Sequence, residues 1–291
     1  MAHVTEQVVD GRSPDGDADE IELNHLASIG VVLLAGGGLT WAAHSGALPL
    51  LIAVAVVQAL LAVAWVGATA MPGRTGGLLI AALAAAGADV AVSVWPHGRL
   101  GTLLIVLGLA LPVMFVHQLM RGAARIRIVE SMSDVAMLVV AMVGLPAFLQ
   151  LRHEFTSSAT AGSLVGGVIA ASAGALVIGH VVDLVMPAPR FDVAVPRGLL
   201  AVVASAGLGG SIGHLTLDGS GQFPDARGSF AGAALGALAA FFAVAVAFLE
   251  FSTPLPDRGA AARRLRPVMA GLLPLSLLGP VAFLLCLAIR A

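Results

Sequence analysis

Residues 47–70 read ALPLLIAVAVVQALLAVAWVGATA, an apolar run without a single charge. At the 1.5 Å rise of an α-helix, about 20 such residues cross the roughly 30 Å hydrocarbon core of a bilayer. Lipid offers backbone N–H and C=O groups no partner, so a run of this kind is stable there only as a helix that bonds to itself. Working outward, comparable blocks fall at 26–44, 75–95, 100–120, 132–151, 162–186, 198–217, 229–250 and 268–289. The block at 26–44 is the least regular, because Gly36, Gly37 and Gly38 interrupt it.

Composition agrees with the blocks. The 291 residues are 58% hydrophobic and 11% charged, with mean hydropathy +0.97, whereas soluble domains carry about 25% charged residues. The sequence therefore predicts an all-α, polytopic integral membrane protein of about nine transmembrane helices. Its domains are an acidic disordered tail over 1–25 and a single transmembrane helical domain over 26–291. The tail carries Glu6, Asp10, Asp15, Asp17, Asp19, Glu20 and Glu22 against Arg12 alone. It has no apolar run to bury, and it lacks the basic start and immediate apolar run of a secretory signal.

Nine spans put the termini on opposite sides, and the arginines orient them. Arg12, Arg74, Arg121, Arg125, Arg127, Arg190, Arg197, Arg258, Arg263, Arg264 and Arg266 fall on one face. Only Arg99, Arg152, Arg227 and Arg290 fall on the other. Positive residues in short loops stay cytoplasmic, so the N-terminus is expected inside and the C-terminus outside, in the inner cell membrane. Trp41 and Trp95, each closing a span on the outer side, fit headgroup-level anchors.

Several function classes fall away. A net charge of −2 without basic stretches interleaved with aromatics argues against nucleic acid. Cys286 is the only cysteine, which excludes internal disulfides and cysteine metal clusters. No lysine is present, hence no nucleotide-binding P-loop, and no H-E-x-x-H helix occurs. No metal and no cofactor is implied. Gly209-Gly210-Ser211-Ile212-Gly213 spells the G-x-S-x-G elbow of hydrolases, but that motif needs a strand-to-helix turn and this one lies in a spanning block. The spacings Gly209/Gly213 and Gly232/Gly236 read first as close helix packing, with a homodimer face as the alternative.

Ionisable groups in a membrane are costly and each invites a functional reading beside a structural one. Asp89, inside the third span, is the candidate ion or proton site. His180 and Asp183, three apart near the inner end of the sixth span, share a helix face and could bond to each other. His117 ends the fourth span on the same side, Asp134 opens the fifth, and Glu250 closes the eighth. In a compact bundle these groups would converge beside Arg121, Arg125 and Arg127, as a pocket for an anionic headgroup. The plainer reading is that each arginine snorkels to anionic lipid, worth about 1 kcal/mol apiece. His214, near the outer end of the seventh span, stands alone in the sequence.

The order of these features resembles the CDP-diacylglycerol synthases (phosphatidate cytidylyltransferases), from the fifth span to the end. Gly179-His180-Val181-Val182-Asp183 is similar to that family's span carrying an Asp before a cytoplasmic turn. Val195-Pro196-Arg197-Gly198 stands where the family has Ser-Pro-Lys-Lys-Thr-x-Glu-Gly, and Pro256-Asp257-Arg258 resembles a remnant of its closing P-G-H-G-G-x-x-D-R-x-D. The departures are large: Ala260 replaces the second Asp, and the loop lysines and the His-Gly-Gly segment are missing. Phosphoryl chemistry needs acids to hold its metal ions. The resemblance therefore implies a member without that catalysis, in which Asp183, Asp257 and the arginines bind lipid headgroups.

Three readings follow. The first is a noncatalytic lipid-enzyme relative whose partners are membrane lipids. The second is a secondary transporter, motivated by Asp89, Gln58 and the glycine-interrupted first and seventh spans. The third is an envelope scaffold whose acidic tail recruits a cytoplasmic partner.

Overall fold

A computed structural model describes residues 14–69, 71–96, 99–122, 127–155, 158–192, 195–218, 223, 226–252 and 260–290. Its helices are α1 (Pro14–Ser45), α2 (Ala47–Ala68), α3 (Arg74–Val94), α4 (Arg99–Met120), α5 (Ile128–Gly144), α6 (Ala147–Glu154), α7 (Ser158–Val185), α8 (Leu199–Thr216), α9 (Arg227–Ser252) and α10 (Ala260–Arg290). Among the described residues nine candidate membrane spans result, α5 and α6 forming one of them. The chain is thus an all-α polytopic membrane protein, with one addition. A short antiparallel hairpin of β1 (Arg190–Asp192) and β2 (Val195–Gly198) joins α7 to α8.

The first helix begins at Pro14, inside the stretch read as a disordered tail. Proline suits a first helical position because its missing N–H is an orphan there anyway. By sequence Asp15 and Asp17 fall in its first turn, where acids suit the positive end of a helix dipole. Gly36, Gly37 and Gly38 leave this helix continuous. A Cβ at Gly36 would lie 2.4 Å from the Cβ of Ala173 on α7, so that glycine admits a neighbouring helix. The break falls in the fifth span, where Leu145 and Pro146 separate α5 from α6. Proline cannot donate the N–H that would continue the ladder. Beside this break Gly144 abuts α10: a Cβ on Gly279 would lie 2.3 Å from the Gly144 carbonyl oxygen.

The helices α8 and α9 pack most closely of all. A Cβ at Gly232 would stand 2.1 Å from the Gly209 carbonyl oxygen, and one at Gly213 would stand 2.3 Å from that of Gly228. In lipid no hydrophobic force drives helices together, so small residues that allow backbone contact supply the attraction. Both four-residue glycine spacings are therefore spent inside the chain, and α8, like α1, is continuous through its glycines. Outward faces carry Leu34, Trp41, Val63, Leu104 and Phe230 exposed, as lipid-facing positions should be.

Candidate functional site

The site is organised by Asp183, on the last turns of α7. Beyond that helix the β-hairpin reverses the chain and returns Arg197 and Gly198 to the Asp183 carboxylate. Oδ2 accepts from Arg197 Nη1 at 2.9 Å, and Oδ1 accepts from the Gly198 backbone N–H at 2.7 Å. That N–H belongs to the residue capping α8, where helix donors lack intrahelical partners. The Asp183 side chain is 0% exposed and that of Arg197 7%. Buried charges are tolerable only when paired and hydrogen-bonded, which is the arrangement here.

The hydrogen-bond chain continues in one direction. Arg197 Nη2 lies 3.2 Å from His180 Nε2, and since a guanidinium only donates, that ring nitrogen must accept. The His180 proton then sits on Nδ1, facing Nδ1 of His25 on α1 at 3.1 Å. His25 accepts there and keeps its own proton on Nε2. It also bonds to the backbone of Pro196, which has no N–H and can only accept. Two neutral imidazoles, from the first and sixth spans, are thus fixed in definite tautomers by one buried arginine. Arg197 stands between His180 and Asp183 and bonds to each, in place of the direct bond between the two that the sequence suggests.

Two cavities adjoin this network. One of about 90 Å³ has several polar side chains in its lining, among them His25, Ser28, His180, Arg197, Glu250 and Arg266. A largely apolar one of about 120 Å³ is lined by Trp65, Asp134, Met137, Leu249, Glu250 and Arg266 among others. Glu250 of α9 and Arg266 of α10 line both, so the two chambers share a charged wall. Glu250 Oε1 and the Trp65 indole Nε1 are buried with no hydrogen-bond partner among the described residues. Among the described residues no three His, Cys, Asp or Glu side chains gather as metal ligands.

His180 and Glu250 line one cavity and Glu250 and Asp134 the other, with Asp183 held behind Arg197, whereas His117, Arg121 and Arg127 line neither of the two cavities. Arg121 donates to Gln118 Oε1 at 2.8 Å, Gln118 Nε2 to Ser131 Oγ at 2.8 Å, and Ser131 Oγ to the Pro72 carbonyl at 2.8 Å. This chain ties the end of α4 and the start of α5 to the turn that precedes α3. The His117 ring lies against Gly76, where a Cβ would meet its Cε1 at 2.0 Å. Arg127 pairs with Glu130 one turn on, both half exposed. The reason is register: helix ends on one side of a membrane are not all neighbours within it. Arg125 and Asp257 lie outside the described residues.

Elsewhere, Asp89 Oδ1 accepts from Gln58 Nε2 at 3.3 Å, and the same amide donates to the Met142 carbonyl at 2.9 Å. Ser211 lies within α8 and donates to the Gly207 carbonyl one turn back, as a helix serine and not an elbow nucleophile. His214 is not alone: its Nδ1 is 3.0 Å from Asp218 Oδ2. Asp218 Oδ1 also accepts the backbone N–H groups of Gly228 and Ser229 and so caps α9. What burial Asp218 has would raise its pKa, but hydrogen bonds from Ser229, His214 and those two N–H groups outweigh it and hold the carboxyl below its ordinary value.

One member of the site, His25, has no signal in the sequence beyond standing immediately before the first apolar block. Arg197 and Arg266 belong to the arginines that the resemblance assigns to headgroups, but nothing in the sequence singles them out from the others. Comparison with family models, with curated proteins and with solved structures finds no match.

Proposed function

We propose that this chain is a noncatalytic phospholipid-binding membrane protein that holds a lipid phosphate at one end of its bundle. The observation carrying the reading is the pair of adjacent cavities, one with several polar side chains in its lining and one largely apolar, that share Arg266 and Glu250 in their walls. An amphiphile needs such a compartment, with its headgroup among His25, Arg197 and Arg266 and its hydrocarbon along Trp65, Met137 and Leu249. Arg197 already satisfies Asp183 and His180, so Arg266 is the principal cation for the phosphate. Asp183, one of the residues that carry the resemblance to the phosphatidate cytidylyltransferases, is bound to an arginine and a backbone amide. A carboxylate so engaged suits a positioning role better than metal binding.

On the positive-inside reading this end faces the cytoplasm, because Arg74, Arg121, Arg127, Arg190, Arg263 and Arg264 lie at it. The transporter reading drew on glycine-broken first and seventh spans; both helices are continuous, so one of its supports is gone. The test is the phospholipid phosphorus bound per protein after delipidation in mild detergent and re-addition of mixed phospholipid. Wild type should retain about one lipid, and Arg266→Gln should lower that retention several-fold. Equal phosphorus in both proteins, or none above the detergent blank in wild type, would refute the reading.

A further inference from the structure

Asp89 lines neither of the two cavities and belongs instead to the break in the fifth span. In an unbroken helix the Met142 carbonyl would accept from the N–H of residue 146, and that residue is Pro146, which has none. Gln58 of α2, only 4% exposed, fills the gap. Its amide nitrogen donates to the Met142 carbonyl at 2.9 Å and to Asp89 Oδ1 at 3.3 Å. One buried amide therefore ties a half-buried carboxyl of the third span to the carbonyl that the proline leaves free.

The charges on the neighbouring elements all lie toward helix ends. Helices α2, α4 and α5 pack against α3. The first carries no charged residue, and the second carries Arg99 at its start and His117 in its last turn. The third carries Glu130 and Asp134, about 18 and 12 Å along its axis from Met142. Arg74 opens α3 itself, about 22 Å along the axis from Asp89. Among the described residues no cation pairs with Asp89 to fix it as a carboxylate, and no acceptor receives an O–H to fix it as an acid. The bond from Gln58 serves both forms, because either form accepts from an N–H. Intramembrane carboxylates without a cation are costly, and they mark proton sites in pumps and transporters. The end of α3 at Val94 is about 7.5 Å further along the axis, which places water within short reach.

We infer that Asp89 is a reversible proton-binding site built on the broken fifth span. Its O–H proton passes to water, the bonding pair stays on the carboxylate oxygen, and hydronium returns the proton to the same group. The change is felt at the break through Gln58. A charge-assisted hydrogen bond is roughly twice as strong as a neutral one, so the carboxylate draws the amide toward α3 and weakens its hold on Met142. A metal cation fits less well, because the Gln58 amide presents hydrogens and not oxygen to both neighbours.

The experiment is infrared difference spectroscopy of the full-length protein in liposomes, reading the C=O band of protonated carboxyls. It compares about pH 5 with about pH 9, both above the ordinary aspartate value of about 3.9. Wild type should show a band at the lower pH that is lost at the higher. Asp89→Asn should abolish that band, and Asp89→Glu should move it while keeping its titration. Gln58→Leu should shift it to higher frequency, since a carbonyl released from a hydrogen bond stiffens. Asp89→Glu keeps an acid in place and assigns the band even if Asp89→Asn folds poorly. No titrating band in wild type, a band of equal size at both pH values, or one that is unchanged by both Asp89 substitutions overturns the inference. The lipid-binding reading stands or falls separately, because Asp89 and Gln58 line neither of its cavities.

Discussion

Replacing Asp183 by Asn tests whether the buried Asp183–Arg197 pair holds the site together. The shape is kept, and Asn Oδ1 can still accept the Gly198 N–H now bonded at 2.7 Å. The other side fails: an amide nitrogen would face Arg197 Nη1, donor against donor, where a carboxylate oxygen now sits at 2.9 Å. A hydrogen bond to a charged group contributes about 1.5–3 kcal/mol, and a guanidinium does not shed its proton when stranded. Removing one partner of a buried pair costs about 3–5 kcal/mol. With exposures of 0% and 7% for the two side chains, solvent cannot screen the loss, and the upper half of that range is expected. Because Arg197 also fixes the His180 and His25 tautomers, the α1–α7 contact should loosen with it.

The assay is reversible unfolding in mixed micelles, following helical circular dichroism, on Asp183→Asn, Arg197→Met and the double variant. The double variant carries neither charge and should be at least about 2 kcal/mol more stable than Asp183→Asn alone, since apolar replacement of a buried pair is often neutral. A loss under about 1 kcal/mol in Asp183→Asn, or strictly additive losses in the double variant, would refute the account of a buried pair whose members depend on each other.

Glycine packing and pH supply two further tests. Gly232→Ala puts a methyl 2.1 Å from the Gly209 carbonyl oxygen and should cost about 1–3 kcal/mol by forcing α8 and α9 apart. Gly37→Ala, with nothing within 4 Å of the new methyl, should be neutral or stabilising by about 0.5–1 kcal/mol; equal thermal shifts for the two would contradict the packing argument. Asp218 lies outside the spans with its folded pKa below the ordinary 3.8, so its cap on α9 is fully present above that unfolded value and is lost as pH falls through the lower folded one. Amide exchange at Gly228 and Ser229 should therefore stay protected down to about pH 4 and accelerate below it, and Asp218→Asn should remove that pH dependence; protection lost already near pH 6 would count against the cap.

How much was legible depended on how local each cause is. Bilayer thickness and the need to satisfy every backbone group act along the chain, so nine spans, their polar ends and the two glycine spacings could be read directly. The kink at Leu145 and Pro146 was there to read in the proline, yet a span long enough to cross hid it. The start of α1 at Pro14 was obscured because acids that suit a helix N-terminus also compose a disordered tail.

The sequence by itself determined that this chain crosses a membrane many times and that few polar groups enter it, because hydrophobic length is a property of consecutive residues. Only the tertiary structure decided which of those groups meet. His25 and His180 are 155 positions apart, and nothing local links them; Arg197, Glu250 and Arg266 come together because hairpin, α9 and α10 end beside α7. His117, Arg121 and Arg127 lie at the same end by the same spacing rules and yet form other contacts. Hydrophobic pattern fixes how deep a residue sits in the bilayer, whereas its neighbours at that depth are chosen by side-chain packing between helices, which leaves no signature in the order of residues along one chain.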